Sequence, residues 1–434
     1  MEQLLHYVWK HKLFPLAPLV TTDGREVEVV HPGLHNHDAG PDFFNAKVKI
    51  GGELWVGNVE IHERSSDWFR HRHDHDPAYA NVVLHVVGEA DAEVPCPSVE
   101  PVADIPQLVL PVPDDVQRNY EQLAHADRLP RCGRVVGTLP RLTVSSWLSA
   151  LQVERLEEKT RQVMERRRRC TQDWEAAFFV TLARSFGFGI NGDAMEQWAL
   201  QLPLSAVAKH RDDLFQVEAL FFGQAGLLEV ENDVPYCQRL SCEYAYLRHK
   251  FSLTPMDARR WRFARLRPQN TPYIRLAQLA MLYYEGRLNL SAVVEAQTLD
   301  QLYALFDAHV SDFWQTHYSF SSEPSAQAER RLSTASLDSV VINAVVPVLF
   351  AYGRYKSEES LCERALQMLE QLPAEQNSVV RAWAQAGVNA ETAGDTQALV
   401  QLTRRYCEPR DCLRCRFGYE YLRCTPDFLR EIQS

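Results

Sequence analysis

Side chains able to do chemistry crowd into one stretch, Asn36 to Val87, where eight of the fifteen histidines lie between His31 and His85 and where Asp42, Glu60 and His62 also stand. Carboxylates brought together repel unless a cation sits between them, and hard oxygen donors favour magnesium or manganese. An imidazole beside such a pair adds a third ligand or a base that takes a proton near neutral pH. The combination suits a metal that lowers the pKa of a bound water.

Elements to position these groups are legible around them. Phe44 to Ile50 and Leu54 to His62 alternate about Gly51-Gly52, which predicts a β-hairpin with Asn58, Glu60 and His62 on one face and Val59 and Ile61 on the other. Gly40-Pro41-Asp42 reads as a turn that leaves Asp42 at the mouth of the first strand, where it can meet Glu60 across the sheet. Asn36 and Asp38, just upstream, are candidates for orienting the outer shell. His85, on the strand Asn81 to Val87, is expected to face the same cleft. The connection Ser65 to Tyr79 predicts a short helix, limited by Pro77, with His71 and His75 on one side. Its His71 and His73 are further candidates for a ligand or phosphate contact, although alternating acidic and basic residues also suit a solvated surface.

The Pro41-Asp42 pair followed by Glu60-x-His62 resembles the PD-(D/E)xK nuclease superfamily, in which an Asp opening the second strand and a Glu in the third hold the metal and a Lys two residues on assists the attacking water. The resemblance assigns the acidic positions to Asp42 and Glu60, and His62 replaces the lysine. A second resemblance covers nearly the whole chain. NHDAGPDFFNAKVKI, GNVEIHERSSDW, HRHDHDPAY and NVVLHVV are similar to a bacterial family known only as a domain of unknown function, which implies that nuclease-like segment and helical remainder recur together.

At 434 residues and 46% hydrophobic content the chain is long enough for two or three domains. The order of helix, three strands, short connection and fourth strand, followed only by helical texture, predicts an α+β N-terminal domain with a small mixed sheet, residues 1–139, and a larger all-α domain, residues 140–434. Six helices are expected in the latter over Leu142 to Arg169, Trp174 to Phe186, Leu214 to Leu228, Tyr244 to Leu253, Ile274 to Tyr284 and Phe306 to Phe320. Another is expected over Leu337 to Tyr352, and a helical pair over Leu361 to Leu369 and Ser378 to Gly387. Prolines between Ala90 and Pro113 predict edge strands and an extended connection.

A net charge of -11 weighs against nucleic-acid binding except through a local basic patch, of which Arg166 to Arg169 is the best and reads first as a cationic helix end. No stretch resembles a signal peptide or the roughly 20 apolar residues of a membrane span, so the expectation is a cytoplasmic protein. Ten cysteines in so long a chain are no disulfide scaffold. Cys407, Cys412, Cys415 and Cys424 are spaced to surround a structural zinc, and packed reduced thiols fit as well. The reading that follows is a Mg²⁺- or Mn²⁺-dependent nuclease acting on DNA or RNA. Its alternatives are a nuclease-derived module that binds without turnover, and a buried hydrogen-bond network that fixes the hairpin and needs no ligand. Oligomeric state is not legible.

Overall fold

The computed structural model describes residues 1–434 apart from 16, 37, 96–103, 230–232, 426–427 and 430–434. His37, Pro97 and Pro101 therefore lie outside the described residues. The chain divides into two compact units, Met1–Val144 with Gln385–Val388 and Thr403–Ser434, and Ser145–Ala384 with Asn389–Leu402. The boundary expected at Pro140 falls beside the first break. The end of the chain differs from expectation, because it returns to the sheet-bearing unit instead of staying with the helices. Its helix Arg416–Leu422 buries Phe417, Tyr421 and Leu422. Asn119 Nδ2 donates to the carbonyls of Tyr421, Leu422 and Cys424 at 3.3, 3.3 and 2.9 Å.

In the first unit, α1 (Glu2–His11) precedes seven strands: β1 (Leu19–Val20), β2 (Glu26–His31), β3 (Leu34–His35), β4 (Phe43–Ile50), β5 (Glu53–Arg64), β6 (Val82–Glu89) and β7 (Gln107–Val109). They form one mixed sheet in the order β1-β2-β4-β5-β6-β7, with β3 also on β4. Pairing is antiparallel as far as β5, and β6 and β7 then run parallel to it. Gly51 and Gly52, at φ 60° and 91°, make the left-handed turn that the hairpin requires. Leu4, Leu5, Val8 and Trp9 of α1 pack on Val48, Val59, Ile61, Leu84 and Val86 of the sheet. A second, smaller core of Trp68, Tyr79, Val82, Val94 and Ile105 includes the residues of the β5–β6 connection. The middle of β5 is thus buried on both faces, apolar on one and polar on the other.

The second unit is helical, beginning with the 29-residue helix Arg141–Arg169, whose first residues belong to the first unit, and Trp174–Phe186. Other expected helices are present with shifted ends, such as Pro272–Glu285 and Pro235–Phe251. Over Phe306 to Phe320 only Asp312–Thr316 is helical, because aromatic side chains there fill the core from irregular backbone: Phe306, Trp314 and Phe320 are all buried. Among the described residues one helix, Thr334–Lys356, is long and apolar enough to span a membrane, contrary to the sequence expectation. Much of it is buried within the unit, with Val341, Val345 and Leu349 in the core. It tolerates Pro347 through a π-turn at Val341–Val345, and the buried Lys159 donates to Ile342 O and Asn343 Oδ1 at 3.3 and 3.0 Å.

The run Arg166 to Arg169 is engaged locally. Arg166 pairs with Glu196 at 3.0 Å and Arg168 with Glu165 at 2.7 Å, and Arg167 lies over Trp174 and Tyr355. The cationic helix end is therefore largely engaged by its own unit, through ion pairs and, for Arg167, aromatic rings.

Candidate metal centre

Strand alternation puts Glu60 and His62 on the face of β5 opposite Val59 and Ile61, and the parallel register sets Glu60 beside His85 of β6. Asp42 arrives at the mouth of β4. Its amide donates to Glu60 Oε2 at 3.0 Å, and its own Oδ2 accepts from the Ile61 amide at 2.9 Å. Each carboxylate is pinned by a backbone N–H from the other's segment, so the two acidic groups converge as the sequence suggests.

Asn36 builds the loop that delivers Asp42. Its Nδ2 donates to the carbonyls of Asp38 at 3.0 Å and Pro41 at 3.1 Å, and its amide donates to Asp42 O at 2.7 Å. Asp38 is exposed and enters only through backbone groups held by Asn36. Asn36 thus acts on the site through the backbone.

The free oxygen of Glu60, Oε1, lies 3.5 Å from His62 Nε2 and 3.3 Å from His73 Nε2, and His62 Nε2 lies 3.2 Å from His71 Nδ1. Among the described residues, His62, His71 and His73 are the group whose donor atoms all come within 4.8 Å of one another. The expected helix is too short to pair His71 with His75: it covers only Asp67–Arg70, and Arg72 at φ 62° turns the chain back. That turn brings His71 and His73 together and sends His75 out, 80% exposed beside Asp74.

His85 stands behind the cluster. Fully buried, it meets His62 Nδ1 through its Nε2 at 2.9 Å. If the proton of this contact sits on His62 Nδ1, the Nε2 lone pair of His62 faces the cluster, the arrangement usual for a metal-bound histidine. Trp68 and Tyr79 close over the group, with Tyr79 stacked on His73 at 3.8 Å between ring centroids. The opening is on the side of His71, which is exposed, and of Asp42, 23% exposed, whereas the Glu60 side chain is only 5% exposed.

Electrostatically the site is frustrated. Burial first, and then the charge of Asp42, push Glu60 up to about 9. Burial also raises Asp42, against the pull of His6. Burial, reinforced by His85, drives His62 down to about 2, and burial takes His85 to about 4 and lowers His73. With His62 and His73 held neutral, their contacts with Glu60 are not ion pairs. Among the described residues no lysine or arginine pairs with either carboxylate. His6 Nε2, His73 Nε2 and His85 Nδ1 are buried without a hydrogen-bond partner. A cation among the three imidazoles and Glu60 Oε1 would satisfy the carboxylate and the orphaned nitrogen of His73 together.

The sequence reading missed His6, which reaches from α1 to within 3.4 Å of Asp42 Oδ2. Its signal is a histidine inside the apolar run Leu4-Leu5-His6-Tyr7-Val8-Trp9. Trp68 and Tyr79 were visible only as aromatics in a charged connection. Cys407, Cys412, Cys415 and Cys424 lie elsewhere in the same unit, without a disulfide.

No curated protein and no solved structure matches the chain. A family model described as "Protein of unknown function (DUF2851)" matches residues 2–378, and the chain belongs to that family.

Proposed function

We propose that this protein is a metal-dependent phosphodiesterase of nuclease type, with DNA or RNA as substrate. Glu60 Oε1, His62 Nε2, His71 Nδ1 and His73 Nε2 would hold the ion, and Asp42 would flank it on the open side. Three imidazoles with carboxylate oxygen suit manganese or zinc better than magnesium, which demands oxygen donors. A bound ion of this kind supplies Lewis acidity and an acidified water.

The residues around it have separable tasks. His85 fixes the ring of His62, Asn36 fixes the loop of Asp42, and Trp68 and Tyr79 keep water from the inner side. His62, buried and held neutral, is a ligand and not the cationic helper that a lysine would be. The course of the chain, α1, three antiparallel strands β2, β4 and β5, a connection and the parallel strand β6, supports the nuclease-type reading.

The observation that carries the proposal is the buried meeting of Glu60 and Asp42 beside imidazole nitrogens that have no hydrogen-bond partner. Cleavage of single- and double-stranded DNA and RNA with Mn²⁺ or Zn²⁺ tests it. Asp42→Ala and Glu60→Ala are expected to abolish turnover, and unchanged cleavage by both variants overturns the assignment. The replacement of the family-pattern lysine by His62 favours one second reading, a module that binds nucleic acid without cutting it. Saturable, salt-weakened binding with no cleavage under any metal would select that reading.

A further inference from the structure

Of the four thiols that the sequence offers for one site, Cys424 differs from the other three in its surroundings. Cys424 donates its thiol to Glu420 O at 3.3 Å, a contact within its own turn. Cys132, 275 residues before Cys407 in the chain, is instead carried toward the knuckle by its own neighbours: Arg131 reaches Cys407, and the short helix Gly133–Val136 packs on Arg416–Leu422. Arg131 Nε donates to Cys407 O at 3.5 Å, and Arg131 also bonds Ala126 O, so the segment bearing Cys132 is tied to the one bearing Cys407.

The backbone around the remaining thiols is a tight knuckle. Arg410, at φ 63°, reverses the chain, with its amide on Cys407 O at 3.2 Å and the Asp411 amide on Tyr406 O at 2.8 Å. The Cys415 amide donates to Cys412 O at 3.2 Å, closing a single turn across the two cysteines. Gly418 permits this closeness, since a Cβ there would stand 2.0 Å from Cys412 O. Cys132, Cys407 and Cys415 are buried and Cys412 partly so, and all are reduced.

We infer that Cys132, Cys407, Cys412 and Cys415 are the ligands of a tetrathiolate centre for a thiophilic metal, zinc or an iron–sulfur cluster, and that Cys424 is not. The centre would join the two stretches of the first unit that flank the inserted helical unit, Met1–Val144 and Thr403–Ser434. A spacing of four and then two residues between three cysteines, with a distant fourth, suits both occupants. No three of these sulfurs all lie within 4.8 Å of one another, so the ion would have to draw them in.

Thiol protection in the purified full chain tests this without any variant. Alkylation with and without a chelator, followed by peptide mapping, is expected to show Cys132, Cys407, Cys412 and Cys415 blocked until metal is removed and Cys424 reacting alike in both. Metal analysis with inorganic sulfide assay then separates zinc from an iron–sulfur cluster. In Cys132→Ser the sulfur-to-cobalt charge-transfer band of Co²⁺-loaded protein is expected to disappear, and in Cys424→Ser to persist. Chelator-independent labelling of the four thiols, or protection that includes Cys424 in place of Cys132, overturns the inference.

Discussion

Two largely buried carboxylates, one in each unit, show what burial alone does not explain. Glu196 of the helical unit is clamped by Arg166 at 3.0 Å and Arg184 at 2.7 Å, and these partners, against the burial that would raise it, hold it below the ordinary carboxylate range. Glu60 of the sheet unit has a second carboxylate and neutral imidazoles for company and is pushed up to about 9. The first is an ion pair completed by its own chain. The second has no lysine or arginine beside it among the described residues and keeps its proton unless a cation displaces it.

Substitution should therefore have opposite signs at the two sites. The largest effect is expected on metal affinity and turnover: Glu60→Gln should lower both at least about 100-fold, while raising the melting temperature of the metal-free protein at pH 8–9, because an amide has no proton to lose. Isothermal titration and thermal melts check the two halves. A Glu60→Gln protein less stable than wild type at pH 9 without metal would place Glu60 with the structural carboxylates. Next, Glu196→Ala should destabilise the fold by about 3 kcal/mol, measured by denaturant unfolding, with metal affinity unchanged.

A smaller effect is expected behind the ligands. His85→Ala, which frees the ring of His62 without removing a donor, should weaken metal binding roughly 10- to 100-fold. His75→Ala, at an exposed ring outside the cluster, should leave it within error.

The pH dependence sharpens the same contrast. Glu60 keeps its proton in the folded state up to about 9 and gives it up near 4.5 when unfolded, so metal-free stability falls as pH rises through that interval. His62, at about 2 when folded, acts the other way, contributing stability above its unfolded value of 6.5 that is lost as pH falls below it. Above pH 6.5 the His62 slope is gone, Glu218, raised to about 7, adds to the Glu60 slope only up to that pH, and the melting temperature should drop between pH 7 and pH 9. Saturating Mn²⁺ or Zn²⁺ should reverse that slope, since the ion displaces the proton.

Local chemistry was legible in the sequence, and long-range geometry was not. Alternation about Gly51-Gly52 gave the face carrying Glu60 and His62, and Gly40-Pro41 gave the delivery of Asp42. The reversal at Arg72 that separates His71 from His75 depends on a non-glycine residue in the left-handed region, which no propensity signals. His6 and Cys132 reach their neighbours through tertiary packing across 36 and 275 residues. Spacing arguments therefore found the cysteine knuckle but had no way to bring in Cys132. The return of Thr403–Ser434 to the sheet unit was hidden for the same reason, as an amphipathic helix does not state which core it will join.

Anomalous diffraction from crystals of the protein soaked in Mn²⁺, with a parallel Zn²⁺ soak, tests the central claim most directly. The expected result is one ion bounded by Glu60 Oε1 and the nitrogens of His62, His71 and His73, lost in Glu60→Gln. An absence of anomalous density there at saturating metal, with the carboxylates and imidazoles unchanged, would contradict the account.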